Sequence, residues 1–501
     1  MSLLGIDVGT GGCKAALFSA TGDLLALAYE EYDIQRPQPG WAELDVEAVW
    51  ARIQRTIRQV AAAAGRDPVV ALAVSSMGEA FVPVTRDRRV LGPSLLNFDV
   101  RGNEYLDEWR RALPDEQLYR INGNTWGGQY ALTKLRWIRD HQPELYAATD
   151  VFLLWGGFVP FMLGVEPFVD YSLANRTLLF DLDAADWSDE LLALAGLERA
   201  KLPRPVPTGT VVGEVSRRAA EALGLPPGVI VVAGGHDQCI NGVGCGAIAP
   251  GQAMYGMGTY ICMMPIFDHR PAPAAMIGQG LNTEHHAAAG RFVSFIYNHG
   301  GSLLRWFRDT FAAAERAAAQ AAGRDIYAAL LAEMPAGPSR VMALPHWAPT
   351  GPPEFIADSS GVLAGLKLDT SRGEILKGIL EGVTFYQRAC LETLPAAGIA
   401  IADLRAVGGG SRSDLWIQLS ADILGRPFLR PRVTEAGVLG AAIVAGVGSG
   451  LFPSLAAGVE TMVAIERTFE PNPRQQRLYE QRFALYQRLG PLMRAYLRDL
   501  G

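Results

Sequence analysis

The chain opens on three short apolar runs separated by turns. Leu3-Leu4-Gly5-Ile6 reads as a buried strand that ends at Asp7-Val8. Gly9-Thr10-Gly11-Gly12 turns the chain, and Cys13 to Phe18 returns as a second apolar strand. Thr21-Gly22-Asp23 is the next turn, before a third strand from Leu24 to Ala28. This succession predicts a β-meander, not the strand–turn–helix of a dinucleotide-binding unit. From Asp45 the spacing lengthens. Val46, Val49, Ile53, Ile57 and Val60 recur at helical intervals, and Gly65 stops the helix. Val69 to Val74 is another buried strand, with Ser75-Ser76-Met77-Gly78-Glu79 at its end, where α/β proteins place ligands.

The same vocabulary returns later. Val229 to Ala233 forms a short strand that ends in Gly234-Gly235-His236-Asp237-Gln238, and small residues up to Gly246 predict a tightly packed helix. Ala253 to Met264 is again strand, Gly258-Thr259 turn, strand, about 250 residues after the first. Two lobes of related design follow, 1–247 and 248–501, with the boundary near 245–252. A strand at Leu404 to Val407 runs into Gly408-Gly409-Gly410-Ser411-Arg412-Ser413 and then a helix from Asp414 to Leu424. Glu435 to Ala442 opens a small-residue helix, and the last thirty residues form a polar-apolar helix.

Composition narrows the classes. The 501 residues carry 45 basic and 52 acidic side chains, a net charge of −7, with 49% hydrophobic and 19% charged residues. That supports large buried cores and argues against nucleic-acid or anionic-membrane partners. Only five residues are lysine (Lys14, Lys134, Lys201, Lys367 and Lys377), and none precedes Ser or Thr, so a Walker A P-loop is absent. Cys13, Cys239, Cys245, Cys262 and Cys390 form no CxxC pair and read as small buried hydrophobes. No apolar run reaches the roughly 18 residues of a membrane span, and no basic n-region opens the chain. The expectation is a soluble cytoplasmic protein.

Several constellations carry chemistry. Gly9, Gly11 and Gly12 let backbone N–H groups approach a phosphate as an anion nest, Thr10 adds a hydroxyl and Lys14 a point charge. Asp7 is an oxygen ligand suited to hydrated Mg²⁺. The alternative is an ordinary tight hairpin with a partly exposed aspartate, but the recurrence at Gly258 and Thr259 favours two turns holding a polyphosphate. Asp237, at a strand end and a helix start, is either a general base or a helix cap. Gly408, Gly409 and Gly410 suit the approach of a flat ligand such as adenosine, or a loop that needs positive φ. His285, His286 and His299 lack ligand spacing, and no GxSxG elbow occurs.

Taken together, Gly5-Ile6-Asp7-Val8-Gly9-Thr10, Gly234-Gly235-His236-Asp237-Gln238, Tyr255-Gly256-Met257-Gly258-Thr259 and Gly408 to Ser413 resemble the FGGY carbohydrate kinases. So do Pro39 to Asp45, Asp170-Tyr171-Ser172 with Leu179-Phe180-Asp181, Leu380 to Val383, and Leu439 to Ala442, in family order across almost the whole chain. The resemblance implies an α/β fold of two ribonuclease H-like (actin-like ATPase) lobes with a cleft between them. It implies ATP and Mg²⁺ as cofactors, Asp237 as catalytic base, and Asp7 with Asp237 at the metal. Gly9, Thr10, Gly11, Gly12 and Lys14 correspond to the first phosphate loop, and Gly258 and Thr259 to the second. Gly408, Gly409, Gly410, Ser411 and Ser413 correspond to the adenosine loop.

Glu79, Asp99, Arg101, Gln129, Asp237 and Gln238 are the expected sugar contacts. Glu79 is alternatively a surface carboxylate, and Asp99 with Arg101 a structural ion pair. Typical xylulokinases carry Met-His where this chain has Gly78-Glu79, and Asp-Asn where it has Asp237-Gln238. Glu79 and Gln238 look more like the glycerol-kinase pattern, which has Arg at Gly78. Asp170-Tyr171-Ser172 is similar to gluconokinases. The expected reaction is phosphorylation of a ketopentose such as D-xylulose, with gluconate, a deoxyhexulose or a polyol as alternatives. An actin-like ATP-dependent switch that binds protein partners and a catalytically dead sugar sensor are the competing classes. A homodimer fits the prevalence of C₂ pairs.

Overall fold

The computed structural model describes residues 1–65, 67–348 and 359–500. Its first half is built on a six-stranded sheet: β1 (Ser2–Val8), β2 (Gly12–Ser19), β3 (Leu24–Glu31), β4 (Val69–Ser76), β5 (Val211–Glu214) and β6 (Ile230–His236). The strand order is β5-β6-β4-β1-β2-β3. β1, β2 and β3 form the antiparallel meander that the turn residues predict, while β4 and β6 run parallel to β1. The register aligns Asp7 with Ser75, and Ser76 with His236, so three parallel strands end in one row.

The second half repeats this plan on an eight-stranded sheet. Its strands are β7 (Gly251–Met257), β8 (Tyr260–Phe267), β9 (Glu284–His285), β10 (Phe292–Val293), β11 (Ile296–His299), β12 (Ile401–Val407), β13 (Phe428–Pro431) and β14 (Ile465–Phe469). β7 and β8 make the second hairpin, and β12 lies parallel to β7 as β4 lies parallel to β1. Gly256 pairs with Val407, which puts Gly258 and Gly408 at one sheet edge. This mixed α/β arrangement is the two-lobe actin-like ATPase fold.

The helices that matter for the site are α1 (Val46–Ala62), α2 (Tyr171–Asn175), α3 (Asp237–Gly244), α4 (Gly301–Phe311), α5 (Arg372–Thr393), α6 (Asp414–Leu424), α7 (Ala436–Gly448) and α8 (Pro473–Leu500). Asp45 caps α1 by accepting the Ala48 N–H at 3.0 Å, and α1 buries Val46, Val49, Ile53, Ile57 and Val60. The continuous apolar run of β1 serves two faces. Leu4, Ile6 and Val8 join the α1 core, whereas Leu3 packs with α3 and α7.

α3 and α7 lie between the sheets. One core cluster joins Leu3, Phe18 and Ala73 of the first sheet to Met254, Met264 and Val407 of the second through Cys239, Val243, Leu439 and Ile443. Glycine permits the backbone contact. A Cβ on Gly5 would sit 1.8 Å from the Val438 carbonyl oxygen, and one on Gly440 2.0 Å from that of Ile240. Each buried Leu or Ile of α7 contributes roughly 1.5–3 kcal/mol to this junction. Among the described residues, no helix is long and apolar enough to cross a membrane.

Candidate active site

The ends of β1, β4 and β6 gather the first set of functional side chains. Ser75 Oγ donates to Asp7 Oδ1 at 2.6 Å. Gly437, in the first turn of α7, faces the same carboxylate: a Cβ there would come within 3.1 Å of it. Burial raises the Asp7 carboxyl above its ordinary range, against the Ser75 bond and the Lys14 charge. Asp237 opens α3 and is the first residue past β6. Burial, then the charges of Asp7 and Glu79, push its carboxyl up to about 7. A carboxylate tuned to neutral pH suits proton exchange with an alcohol.

His236 sits beside Asp237, with Nε2 3.2 Å from Asp237 Oδ1. Burial and the Arg176 cation hold this imidazole well below its usual pKa, which favours its neutral form. Gln238 Nε2 donates to the same oxygen at 3.2 Å. The Asp170-Tyr171-Ser172 stretch braces this strand end from behind. Asp170 caps α2 and accepts from Ser172 Oγ and Thr208 Oγ1, both at 2.8 Å, and Ser172 Oγ accepts the His236 N–H at 2.9 Å.

The Gly9 turn, expected to hold phosphate, is a closed hairpin. The Gly9 N–H donates to Gly12 O at 3.0 Å, and the Tyr32 hydroxyl clamps the carbonyls of Gly9 and Gly12. Thr10 and Gly11 lie at its tip. Lys14, opposite Asp7 in register, reaches Glu435 Oε2 at 2.5 Å. Burial alone would lower the Lys14 pKa, but the Glu435 bond and charge reverse that and raise it. Glu435 stands at the N-cap position of α7, and its carboxylate also lies 3.8 Å from Arg412 of the third glycine loop. One carboxylate therefore joins the first turn to that loop.

The second turn is held differently. The Gly258 N–H donates to Tyr260 O at 3.1 Å, while the carbonyls of Gly258 and Thr259 accept the N–H groups of Gly301 and Ser302 at the start of α4. Cys262, just beyond it on β8, has its thiol pushed up to about 12 by burial and then by the Asp237 charge. In the third loop Gly408 has φ +85°, Ser411 Oγ donates to Gly408 O at 2.6 Å, and Ser413 caps α6. Around Gly409 the space is open, whereas a Cβ on Gly410 would strike Trp416 and Met257.

The expected sugar contacts divide. Glu79 and Gln238 lie at the base. Asp99 and Arg101 bind each other through paired bonds of 2.9 and 2.6 Å, with Glu43 on Arg101 at 2.8 Å, Ala42 N–H on Asp99 at 2.6 Å, and the Trp41 ring 4.0 Å away. Gln129 lines a cleft of 1370 Å³ with Trp126, Gly280 and Tyr386, and neither Asp7 nor Asp237 borders it. Sequence reasoning assigned no role to Arg176, Glu284, His236, Ser75 or Glu435. His236 and Glu435 stood inside recognised motifs. Arg176 and Glu284 had no local signal, because their partners are distant in the chain.

Comparison with known proteins decides the family. The model of the N-terminal domain of the FGGY family of carbohydrate kinases matches residues 2–244, and that of the C-terminal domain matches residues 253–449. The chain belongs to this family. It is thus a carbohydrate kinase, a phosphotransferase. The autoinducer-2 kinase of Salmonella typhimurium is 30% identical, over 99% of this chain and 94% of its own. That of Escherichia coli (strain K12 / DH10B) is 32% identical over 95% and 92%. Among solved structures, the xylulose kinase from Rhodospirillum rubrum is 26% identical with a TM-score of 0.88, covering 99% of this FGGY chain and 100% of its own. The gluconate kinase from Lactobacillus acidophilus shares the fold at 20% identity, with a TM-score of 0.87 over 100% and 99%.

Proposed function

We propose that this kinase transfers the γ-phosphoryl group of Mg·ATP to a hydroxyl of a small sugar or polyol, with Asp237 as general base. The observation that carries this reading is the placement of Asp237. Its carboxyl stands at the end of β6, in line with Asp7 and beside Glu79, and is pushed up to about 7. There it can take the hydroxyl proton as the oxygen attacks. The turn tips at Thr10 and Gly11, with Lys14, and at Thr259 are placed to offer N–H groups and one cation to phosphate oxygens, while the Gly9 and Gly258 N–H groups close the turns. Asp7 suits a Mg²⁺ that arrives with the nucleotide, because Mg²⁺ uses one or two carboxylates and keeps phosphate and water ligands. Gly408 to Ser413 take the adenosine. The two lobes divide at 247/248, and the reaction is placed in the cytoplasm, where ATP is abundant.

D-xylulose is the acceptor that the overall organisation favours. Autoinducer-2 is a second candidate, supported by relatives of that name at 30–32% identity over nearly the whole chain. The test is ADP release with Mg·ATP over a panel of D-xylulose, autoinducer-2, D-gluconate, a deoxyketose, erythritol and glycerol. Acceptor-dependent release from at least one member is expected. ATP turnover that no acceptor stimulates would instead favour a nucleotide switch.

A further inference from the structure

Arg176 is the guanidinium that acts on His236, the neighbour of Asp237, and it is already engaged. It follows α2, and its stem passes the bare backbone of Gly78: a Cβ there would lie 3.3 Å from both Arg176 Cγ and His236 Nε2. Arg176 Nε donates to Glu79 Oε1 at 2.8 Å, Nη2 donates to the same oxygen, and Nη1 donates to Glu284 Oε1 at 2.6 Å. The rings of Tyr130 and Phe295 flank it at 5.1 and 5.5 Å. The three side chains are 13%, 6% and 1% exposed for Arg176, Glu79 and Glu284. Glu284 lies in β9 of the second half. It is carried there by Thr283, whose N–H donates to Gly123 O at 2.8 Å, and by the His285 N–H on Asn175 Oδ1 at 3.1 Å.

The other cations nearby are also matched. Lys14 is on Glu435, Arg101 is on Asp99 and Glu43, and Lys134 donates to the carbonyls of Asn97, Gly128 and Tyr130. Glu79, Glu284, Asp7 and Asp237 thus outnumber the three cations that act on them, Arg176, Lys134 and Lys14.

We propose that Arg176, held between Glu79 and Glu284, makes this site select uncharged polyhydroxyl acceptors and reject aldonates. The proposal rests on the phosphoryl-transfer reading above. An acceptor hydroxyl can donate to Glu79 while that carboxylate stays oriented by Arg176. An acceptor carboxylate needs N–H donors of its own. To win them it must displace Glu284, which would leave a carboxylate of 1% exposure without its cation. It would also add a like charge beside Glu79 and Asp237.

Acceptor pairs that differ only at one end test this: xylitol against D-xylonate, and D-glucitol against D-gluconate, with D-xylulose and autoinducer-2 as references. The readout is kcat/KM from ADP release. In the wild-type enzyme the uncharged member is expected to exceed its aldonate by at least 100-fold. Glu284→Gln keeps the shape and removes one charge, and should narrow that ratio tenfold or more. Glu79→Gln approaches Arg176 from the other side and is read in the same way should Glu284→Gln fail to fold. A purely structural role for the cluster would lower both members together and leave the ratio fixed. An aldonate turned over as well as its alcohol, or a ratio unmoved in the folded variant, overturns the proposal. Release that no acceptor stimulates overturns the kinase reading instead.

Discussion

The two sides of the proposed site, phosphate and acceptor, are built from different materials. On the phosphate side, glycine turns at strand ends offer backbone N–H groups, and their geometry is set within a few residues. The Gly9 turn is closed by its own Gly12 carbonyl, and the Gly258 turn by Tyr260. On the acceptor side the work falls to charged side chains that meet across the chain. Arg176 finds Glu79 97 residues away and Glu284 108 residues away. Local turns can serve any nucleoside triphosphate, whereas a network of long-range contacts can be re-cut for each acceptor.

Four experiments break or sharpen the contrast. Asp237→Ala should lower kcat by about 10²–10⁴-fold while the KM for ATP holds, because only the proton acceptor is lost. Steady-state kinetics at saturating ATP reads this, and near-wild-type turnover would remove Asp237 as the base. Lys14→Met should cost about 10²-fold in kcat/KM for ATP, the scale for losing one preorganised donor to developing charge. Uniform loss across all acceptors would confirm that it belongs to the phosphate side.

The pH profile is the third. The Asp237 carboxyl is pushed up to about 7, so it holds its proton as pH falls through that value. The base form is lost on the acid side, and kcat/KM should drop about tenfold per pH unit below 7. Mg²⁺ at Asp7 offsets one of the charges that raise Asp237 and should move this limb to lower pH. A profile flat from pH 5.5 to 8 would count against the assignment. The smallest effect is expected for Glu435→Gln. It frees Lys14 from a half-exposed partner and should lower the KM for ATP about two- to fivefold, the range of such pairs. An unchanged KM would show that Lys14 does not change partners on binding ATP.

Legibility in the sequence follows the same division. The meander from Ser2 to Glu31, helix α1 with its Asp45 cap, and the strands ahead of Asp237 and Gly408 were readable because periodicity and turn residues are local signals. The repeat of the Gly-Thr hairpin exposed the doubled plan. The acceptor side was readable only as residue types. Asp99 and Arg101 read equally as sugar contacts or as a structural ion pair, and their bonds to each other, to Glu43 and to the Ala42 N–H depend on a strand far upstream that residue type alone could not reveal. Arg176 and Glu284 drew no notice, since each is ordinary until the fold places it. The Asp170-Tyr171-Ser172 stretch was noticed as a specificity mark, but it braces His236 from behind the strand.

The packing of α7 on the first sheet has a consequence for synthesis. The ribosome releases β1 to β6 and α3 well before α7, which begins at Ala436. Leu3, Phe18, Ala73 and Val232 lack their α7 cover throughout that interval. At about 5–20 residues per second, roughly 200 further residues take on the order of 10–40 s to make. The nascent first half therefore emerges with an apolar sheet face bare, a surface for a chaperone to shield until about the last eighth of the chain is made.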